Sequence, residues 1–358
     1  MMKRYCFFCC SMLAWIVLCW QANVWVFAQE FARNQAAVTK GPFNTARSIH
    51  SKPQLREVIV SYAQVNSKLQ LYRVKEDGSS RRRITDGKYD CMMPAWSPNG
   101  KQVVYVRHSK EGLSLWLCDP DGKTHKPLTQ SGNNRVPSWL PDSKHVVWMA
   151  SRPDSGAEDP AVNSQIRIMN TETMESRRLF SNAQQRKFSN AMPVVSPRGK
   201  KVAFVSNRGG VSRIWLSNLD GSDARPISPV QSEKDEALDL PIEQKVPAWS
   251  PDGKWIAHWE GVEMTHMSRF TGIQDPKRDQ FIAATFHVWV VGRDGKGKRK
   301  VGSGDDPNWS PDGFVTRSFP DPKRGGANVM IEGNSNWREL RILPRGTTRY
   351  GRFTWKPL

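Results

Sequence analysis

Past residue 56 the chain is built of short apolar runs, each too short for a helix and each bounded by turn residues. Residues 103–106, 146–149, 202–205 and 256–259 are such runs, rich in β-branched and aromatic side chains, the composition of a buried strand. A second kind of run centres on tryptophan: Leu115-Trp116-Leu117, Ile214-Trp215-Leu216 and Val288-Trp289-Val290. Each closes on an acidic turn, at Asp121-Gly122, Asp220-Gly221 and Asp294-Gly295. A basic-then-apolar run then ends the unit, at Pro127-Leu128-Thr129, Arg178-Leu179-Phe180 and Pro226-Ile227-Ser228. Ahead of each unit stands an octet. Pro94-Ala95-Trp96-Ser97-Pro98-Asn99-Gly100-Lys101 returns from Pro137, from Pro193, from Pro247 and from Pro307, and a sixth copy is cut short at Phe353-Thr354-Trp355-Lys356-Pro357. Within it proline presets φ and glycine accepts the positive φ that a tight turn needs.

The pattern predicts four short antiparallel strands per unit. Such a unit cannot bury both faces alone, so the units must stack, and radial stacking gives an all-β propeller. The chain ends set the expected blade count. Residues 57–85 hold only the last three strands of a unit, and residues 353–357 supply only a first strand. One C-terminal plus three N-terminal strands then complete a blade beside five internal ones, which predicts a six-bladed ring without exposed edges.

The Pro-x-Trp-Ser-Pro-Asp-Gly-Lys octet, followed by the Asp119-Pro120-Asp121-Gly122 kind of turn, resembles the WD-like repeat of TolB-type β-propellers. The resemblance covers roughly residues 55–358. It is to the propeller part, without the α/β domain that precedes the propeller in TolB, since residues 29–56 are too few to form it. The resemblance implies the fold and leaves the task open.

The first twenty-eight residues read as a separate signal. Lys3 and Arg4 precede an uncharged run over residues 6–20, and Val26-Phe27-Ala28 offers a cleavage site before Gln29. The mature chain is expected to be periplasmic or secreted, with a retained anchor as the alternative. Residues 29–56 form a polar extension, and the propeller occupies 57–358. Formal charge is +19, of which Lys3 and Arg4 belong to the signal, leaving +17 beyond it. After export this field favours an anionic glycan, another envelope component or an acidic protein; nucleic acid is not expected. Four of the six cysteines lie in the signal, and the strand register keeps Cys91 and Cys118 apart as free thiols.

Most conspicuous side chains belong to the scaffold. Trp96, Trp139, Trp249, Trp309 and Trp355 share one repeat position, and Trp116, Trp215 and Trp289 another, so they are expected between blades. His258 takes the slot of Tyr105, Trp148 and Phe204 and is expected as a packed ring. Its spacing to Glu260, Glu263 and His266 matches no zinc motif, so neither metal nor cofactor is predicted. Strand alternation puts every long connection, at 151–164, 181–192, 229–246, 261–285 and 319–327, on the face opposite the short turns. Candidate binding groups there are Arg135, Arg186, Lys187, Asn190 and Lys245. Glu260, Glu263 and His266 begin the longest insertion, and Asp305, Asp306, Arg349 and Tyr350 complete the set. The expected function is an exported, monomeric scaffold that docks a protein or an anionic polymer around the central channel. A channel-mouth enzyme, a hydrolase or polysaccharide lyase, is the alternative, although no nucleophile motif supports it.

Overall fold

The computed structural model describes residues 55–64, 67–130, 132–151, 164–180, 187–227, 234–235, 240–262, 287–321, 327–332, 338–340, 342–344 and 347–358. Among them there is no α-helix, and none therefore long and apolar enough to cross a membrane. Residues 1–54, which include the stretch read as a signal and nearly all of the polar extension, and most of the long connections lie outside the described residues.

The strands fall into sets of four. β1 (Glu57–Gln64), β2 (Gln70–Lys75) and β3 (Arg82–Arg83) come first. The first internal set is β4 (Asp90–Trp96), β5 (Val103–Ser109), β6 (Gly112–Cys118) and β7 (His125–Pro127). The second is β8 (Asn133–Trp139), β9 (His145–Ser151), β10 (Gln165–Asn170) and β11 (Ser176–Arg178). The third is β12 (Asn190–Val195), β13 (Lys201–Ser206), β14 (Arg213–Asn218) and β15 (Arg225–Pro226). A short β16 (Lys234–Asp235) precedes the fourth: β17 (Leu240–Trp249), β18 (Trp255–Val262), β19 (His287–Gly292) and β20 (Arg299–Ser303). The fifth is β21 (Asp305–Trp309), β22 (Val315–Asp321), β23 (Ala327–Glu332) and β24 (Arg338–Leu340), and β25 (Thr347–Trp355) ends the chain.

Within each set neighbours in sequence pair antiparallel, so the order along the sheet is the order along the chain. The exception joins the two ends of the chain. β25 pairs with β1, matching Val58 to Trp355 and Val60 to Phe353, and gives a terminal set ordered β25-β1-β2-β3. Between the first and second internal sets Leu113 bridges Asn133 in parallel, so those eight strands form one sheet. This close approach needs Gly112, whose φ is +115° and whose Cβ, if it had one, would stand 2.5 Å from the Gly132 carbonyl.

Each first strand is bulged at one repeat position, and proline suits the place after the bulge because it has no N–H to give the ladder. Met93, Val136, Met192, Val246 and Asp306 precede Pro94, Pro137, Pro193, Pro247 and Pro307, and all five have φ between 48° and 57°. Registers slip at these points, as between Met92 and Ala95 or between Lys245 and Ala248. Arg352 takes the equivalent place in β25 with φ 79°, although Phe353 follows it instead of proline.

The serine of the octet closes the turn after the first strand. Ser97 accepts Gln102 N–H on its hydroxyl and Gly100 N–H on its carbonyl, and Ser250 does the same for Trp255 and Gly253. Between sets the tryptophan of the octet packs and latches. Trp139 Nε1 donates to Ala95 O at 3.0 Å, Trp249 Nε1 to Val194 O at 3.0 Å and Trp309 Nε1 to Ala248 O at 3.1 Å. Val195 stands where the third set would have its tryptophan. Trp355 and Trp96, on the two sides of the terminal set, have buried indole N–H groups without an acceptor. The core lies between neighbouring sets: Ile59, Leu71 and Ile84 meet Trp96, Val103 and Tyr105, and Val104, Val106 and Leu115 meet Trp139 and Trp148.

One sequence expectation changes. Trp116, Trp215 and Trp289 are half-buried instead of enclosed, and each carries a cation over its ring: Arg107 at 4.3 Å, Arg208 at 4.8 Å and Lys298 at 4.9 Å. Long basic stems complete the cover that a neighbouring strand does not provide. Cys91 and Cys118 are free and buried, as the register requires, and burial pushes both thiols up to about 12.

Candidate functional site

The bulged segments of all six octets wall one cavity of about 410 Å³. Pro94, Pro137, Pro193, Pro247, Pro307 and Phe353 share one repeat position on that wall, and Trp96, Trp139 and Trp249 stand beside them. Five of the six are proline, which suits a bulge because it has no N–H to give the ladder, and the sixth is phenylalanine, so this ring of the wall is apolar. Its charge comes from the residue just before. In the left-handed position Met93, Val136 and Val246 give the cavity apolar side chains, whereas Asp306 and Arg352 give it an acid and a base.

These two face each other. Arg352 Nε donates to Asp306 Oδ1 at 2.9 Å, with about a quarter of each side chain exposed. The pair spans the junction between the fifth internal set and the terminal set, and a second polar link lies there. Asn308 Nδ2 donates to Phe353 O at 3.2 Å, and at the next junction, between the terminal and first internal sets, the Trp96 backbone N–H donates to Thr354 Oγ1 at 3.4 Å. The charge of the cavity is thus on one side, and the remainder is mostly apolar, with Ser138 and Ser196 among its prolines, alanines, valines and tryptophans.

A second charged cluster lies in the fourth set and is closed to solvent. Glu260 Oε1 accepts Gln244 Nε2 at 2.7 Å, stands 3.0 Å from His258 Nε2 and pairs with Lys298 Nζ at 2.8 Å. Glu260 is 5% exposed and His258 is fully buried. Burial opposes ionisation of Glu260, but hydrogen bonds and charge from His258 and Lys298 outweigh it and hold the carboxyl at about 2. Gln244 also accepts Ile214 N–H through its side-chain oxygen, which ties the cluster to the third set. His258 is therefore the packed ring the repeat predicts, with a carboxylate partner the repeat does not announce.

The predicted binding residues scatter across these environments. Asp306 lines the cavity. Glu260 belongs to the closed cluster. Asn190 is buried, gives its amide to Phe188 O and accepts Arg208 Nη2 at 2.6 Å. Lys245 is buried beside Glu243, 3.1 Å away. Arg135 donates to Asn133 Oδ1 at 2.6 Å, Asp305 accepts Ser318 Oγ, and Lys187 is exposed. Arg349 and Tyr350 pair in the backbone ladder with Ala63 and Tyr62. Arg186, Glu263 and His266 lie outside the described residues. Among the described residues no group of three or more His, Cys, Asp or Glu could hold a metal.

Arg352 is the cavity residue that sequence reasoning missed. Its signal was available: it precedes Phe353 as Asp306 precedes Pro307. Aligning the truncated sixth octet one residue earlier places it on the wall.

Comparison with known proteins adds the family. The model of the TolB beta propeller domain matches residues 54–270, more than half of the chain. The Tol-Pal system protein TolB of Nitratidesulfovibrio vulgaris is 28% identical over 145 residues, 40% of this chain and 30% of that protein, so the match spans less than a third of the relative. Among solved structures, TolB from Acinetobacter baumannii superposes with a TM-score of 0.64 at 18% identity, covering 85% of this chain and 67% of that one. A chain of a nidogen/laminin complex superposes with a TM-score of 0.56 at 11% identity, covering 84% and 98%. At these identities the structural likenesses establish the fold alone.

Proposed function

The chain belongs to the TolB beta propeller domain family, and on that premise we propose that it is an exported scaffold that docks a protein partner on the face that carries its long connections. In this reading the six sets are blades of one ring, sealed where β25 lies beside β1. The signal at residues 1–28 is cleaved near Ala28-Gln29 and leaves a periplasmic or secreted monomer.

The observation that carries the reading is the contrast between the two ends of the strands. At one end the turns are short and spend their polar groups internally. Asp119 takes Thr124 N–H at 2.6 Å and Asp252 takes Lys254 N–H at 3.0 Å, so little is left for a partner. The opposite end carries the connections that include residues 152–163, 181–186, 263–286 and 322–326. Connections longer than the crossing requires commonly bind. One relative is named as a protein of the Tol-Pal system, and a place in a system of proteins supports a protein partner.

The experiment is capture from an envelope fraction by the chain from residue 29 onward. Shortening 263–286 should reduce capture and leave thermal unfolding unchanged, because loop length alone costs little stability. Charge reversal at Asp121 and Asp252 on the turn end should leave capture intact. Undiminished capture by the shortened chain, with loss on reversal of the turn charges, would place docking on the wrong face.

A second role has its own observation. Arg82, Arg83, Lys126, Arg177 and Arg178 are exposed on the outer strands β3, β7 and β11, and this favours contact with an anionic glycan. Retention on an acidic polysaccharide that falls with salt, and falls further on replacing Arg177 and Arg178, would support it. Retention indifferent to both would remove it.

A further inference from the structure

We propose that the cavity is itself a ligand site, and that it takes a carboxylate with an apolar body, bound through Arg352. The site is separate from the docking face and does not depend on it.

The argument starts with the guanidinium. Asp306 occupies Nε of Arg352, and the other N–H groups of that side chain have no partner among the described residues. An arginine fixed at Nε presents its two Nη nitrogens as a fork, the geometry that grips a carboxylate with two parallel hydrogen bonds. Asp306 therefore acts as a positioning residue, and Arg352 contacts the ligand. The Nη groups of Arg352 are the unmet donors of this sector, and an anion satisfies them.

The rest of the wall defines the body of the ligand. Pro94, Pro137, Pro247, Trp139 and Val246 offer no charge, and a cavity of about 410 Å³ is of the size that holds small molecules. Asp306 and Arg352 both occupy the left-handed position of the bulge, at φ 48° and 79°. The repeat creates this position six times, and the two charged occupants are neighbours across a single junction. The overall charge of +19 adds a field that draws anions inward.

A free small acid and the carboxyl end of a polypeptide share this chemistry, so the test separates them. Hexanoate is titrated calorimetrically into the full chain, with hexanamide and hexylamine as matched controls. A tetrapeptide of apolar residues is titrated with its C-terminus free and then amidated. Saturable binding of hexanoate, or of the free peptide alone, without binding of its neutral or cationic counterpart, is the expected result. The first outcome assigns a free acid and the second a chain end. Arg352→Gln should weaken binding at least tenfold, and Arg352→Lys, which keeps the charge beside Asp306 and loses the fork, by nearly as much. Arg177→Gln on the outer edge should change nothing. If no carboxylate binds the folded chain, or if binding survives Arg352→Gln, the cavity is not a carboxylate site. Near-ultraviolet circular dichroism, which reads the packed tryptophans, confirms that each variant is folded before it is titrated.

Discussion

Glu260 and Asp306 are both carboxylates beside a base, and the fold handles them in opposite ways. Glu260 is enclosed in the fourth set, where Gln244, His258 and Lys298 converge on one of its oxygens. Asp306 stands at a junction between sets with one basic partner and about a quarter of its surface open to the cavity. The first cluster is buried and fastens strands together, out of reach of a ligand. The second retains donors on Arg352 that nothing in the fold consumes. Charge and proximity alone do not separate a brace from a site; unspent donors that a cavity can reach do.

The largest effect is expected where the second region is removed altogether. Deleting residues 353–358 strips the end of β25 from β1 and leaves Val58 and Val60 without their ladder partners. The melting temperature should fall by about 10 °C or more, in a transition that involves all the sets and not only the tail. A truncated chain that melts like the intact one would show that the terminal set is not a working part of the fold.

Next comes the brace. Glu260→Gln leaves His258 and Lys298 without a carboxylate and should cost about 3 kcal/mol in denaturant unfolding at neutral pH. The pH dependence has a definite sign. Folding lowers the Glu260 carboxyl from 4.5 to about 2, so its stabilisation is complete above pH 4.5 and is lost as pH falls from there toward 2. The gap between parent and variant should therefore close over that window. A gap that stays constant to low pH would mean that the cost of the substitution is one of packing.

The indole latches offer a finer comparison. Trp309→Phe loses a bond to Ala248 O and should cost about 1 kcal/mol beyond its lost area, whereas Trp355→Phe deletes a buried N–H that has no acceptor. The second substitution should be the milder in thermal unfolding. Equal costs would mean that the terminal junction is latched as firmly as the others. The smallest effect belongs to the open pair: Asp306→Asn should change stability by less than about 1 kcal/mol, because a partly exposed ion pair contributes little. A larger loss would make that pair a second brace.

The sequence made strands and turns legible because the octet repeats its turn residues with little change; the bulge before its proline was not anticipated and shows only in the strand register. The joining of the chain ends could be anticipated from the same repetition, since three strands were present at one end and one at the other. Side-chain use was harder to read. Asn190 and Lys245 look like loop-face ligands in a linear sequence, yet both are buried within the fold, Asn190 on Arg208 and Lys245 beside Glu243. Arg208 lies just past the end of the neighbouring strand β13, and Glu243 is two residues from Lys245 on β17 itself. Trp116, Trp215 and Trp289 were expected between blades, but they are only half-buried, and Arg107 on β5, Arg208 after β13 and Lys298 before β20 cover their rings. Arg352 escaped notice because Phe353 replaces the proline that marks the position elsewhere.

Amide hydrogen exchange of the intact chain tests the sealed ring. Peptides over residues 57–64 and 347–355 should exchange as slowly as those over the first internal set, and all should open together as one cooperative unit. Rapid exchange of 347–355 and 57–64 while residues 90–118 remain protected would contradict the seal and leave the chain as an open row of blades.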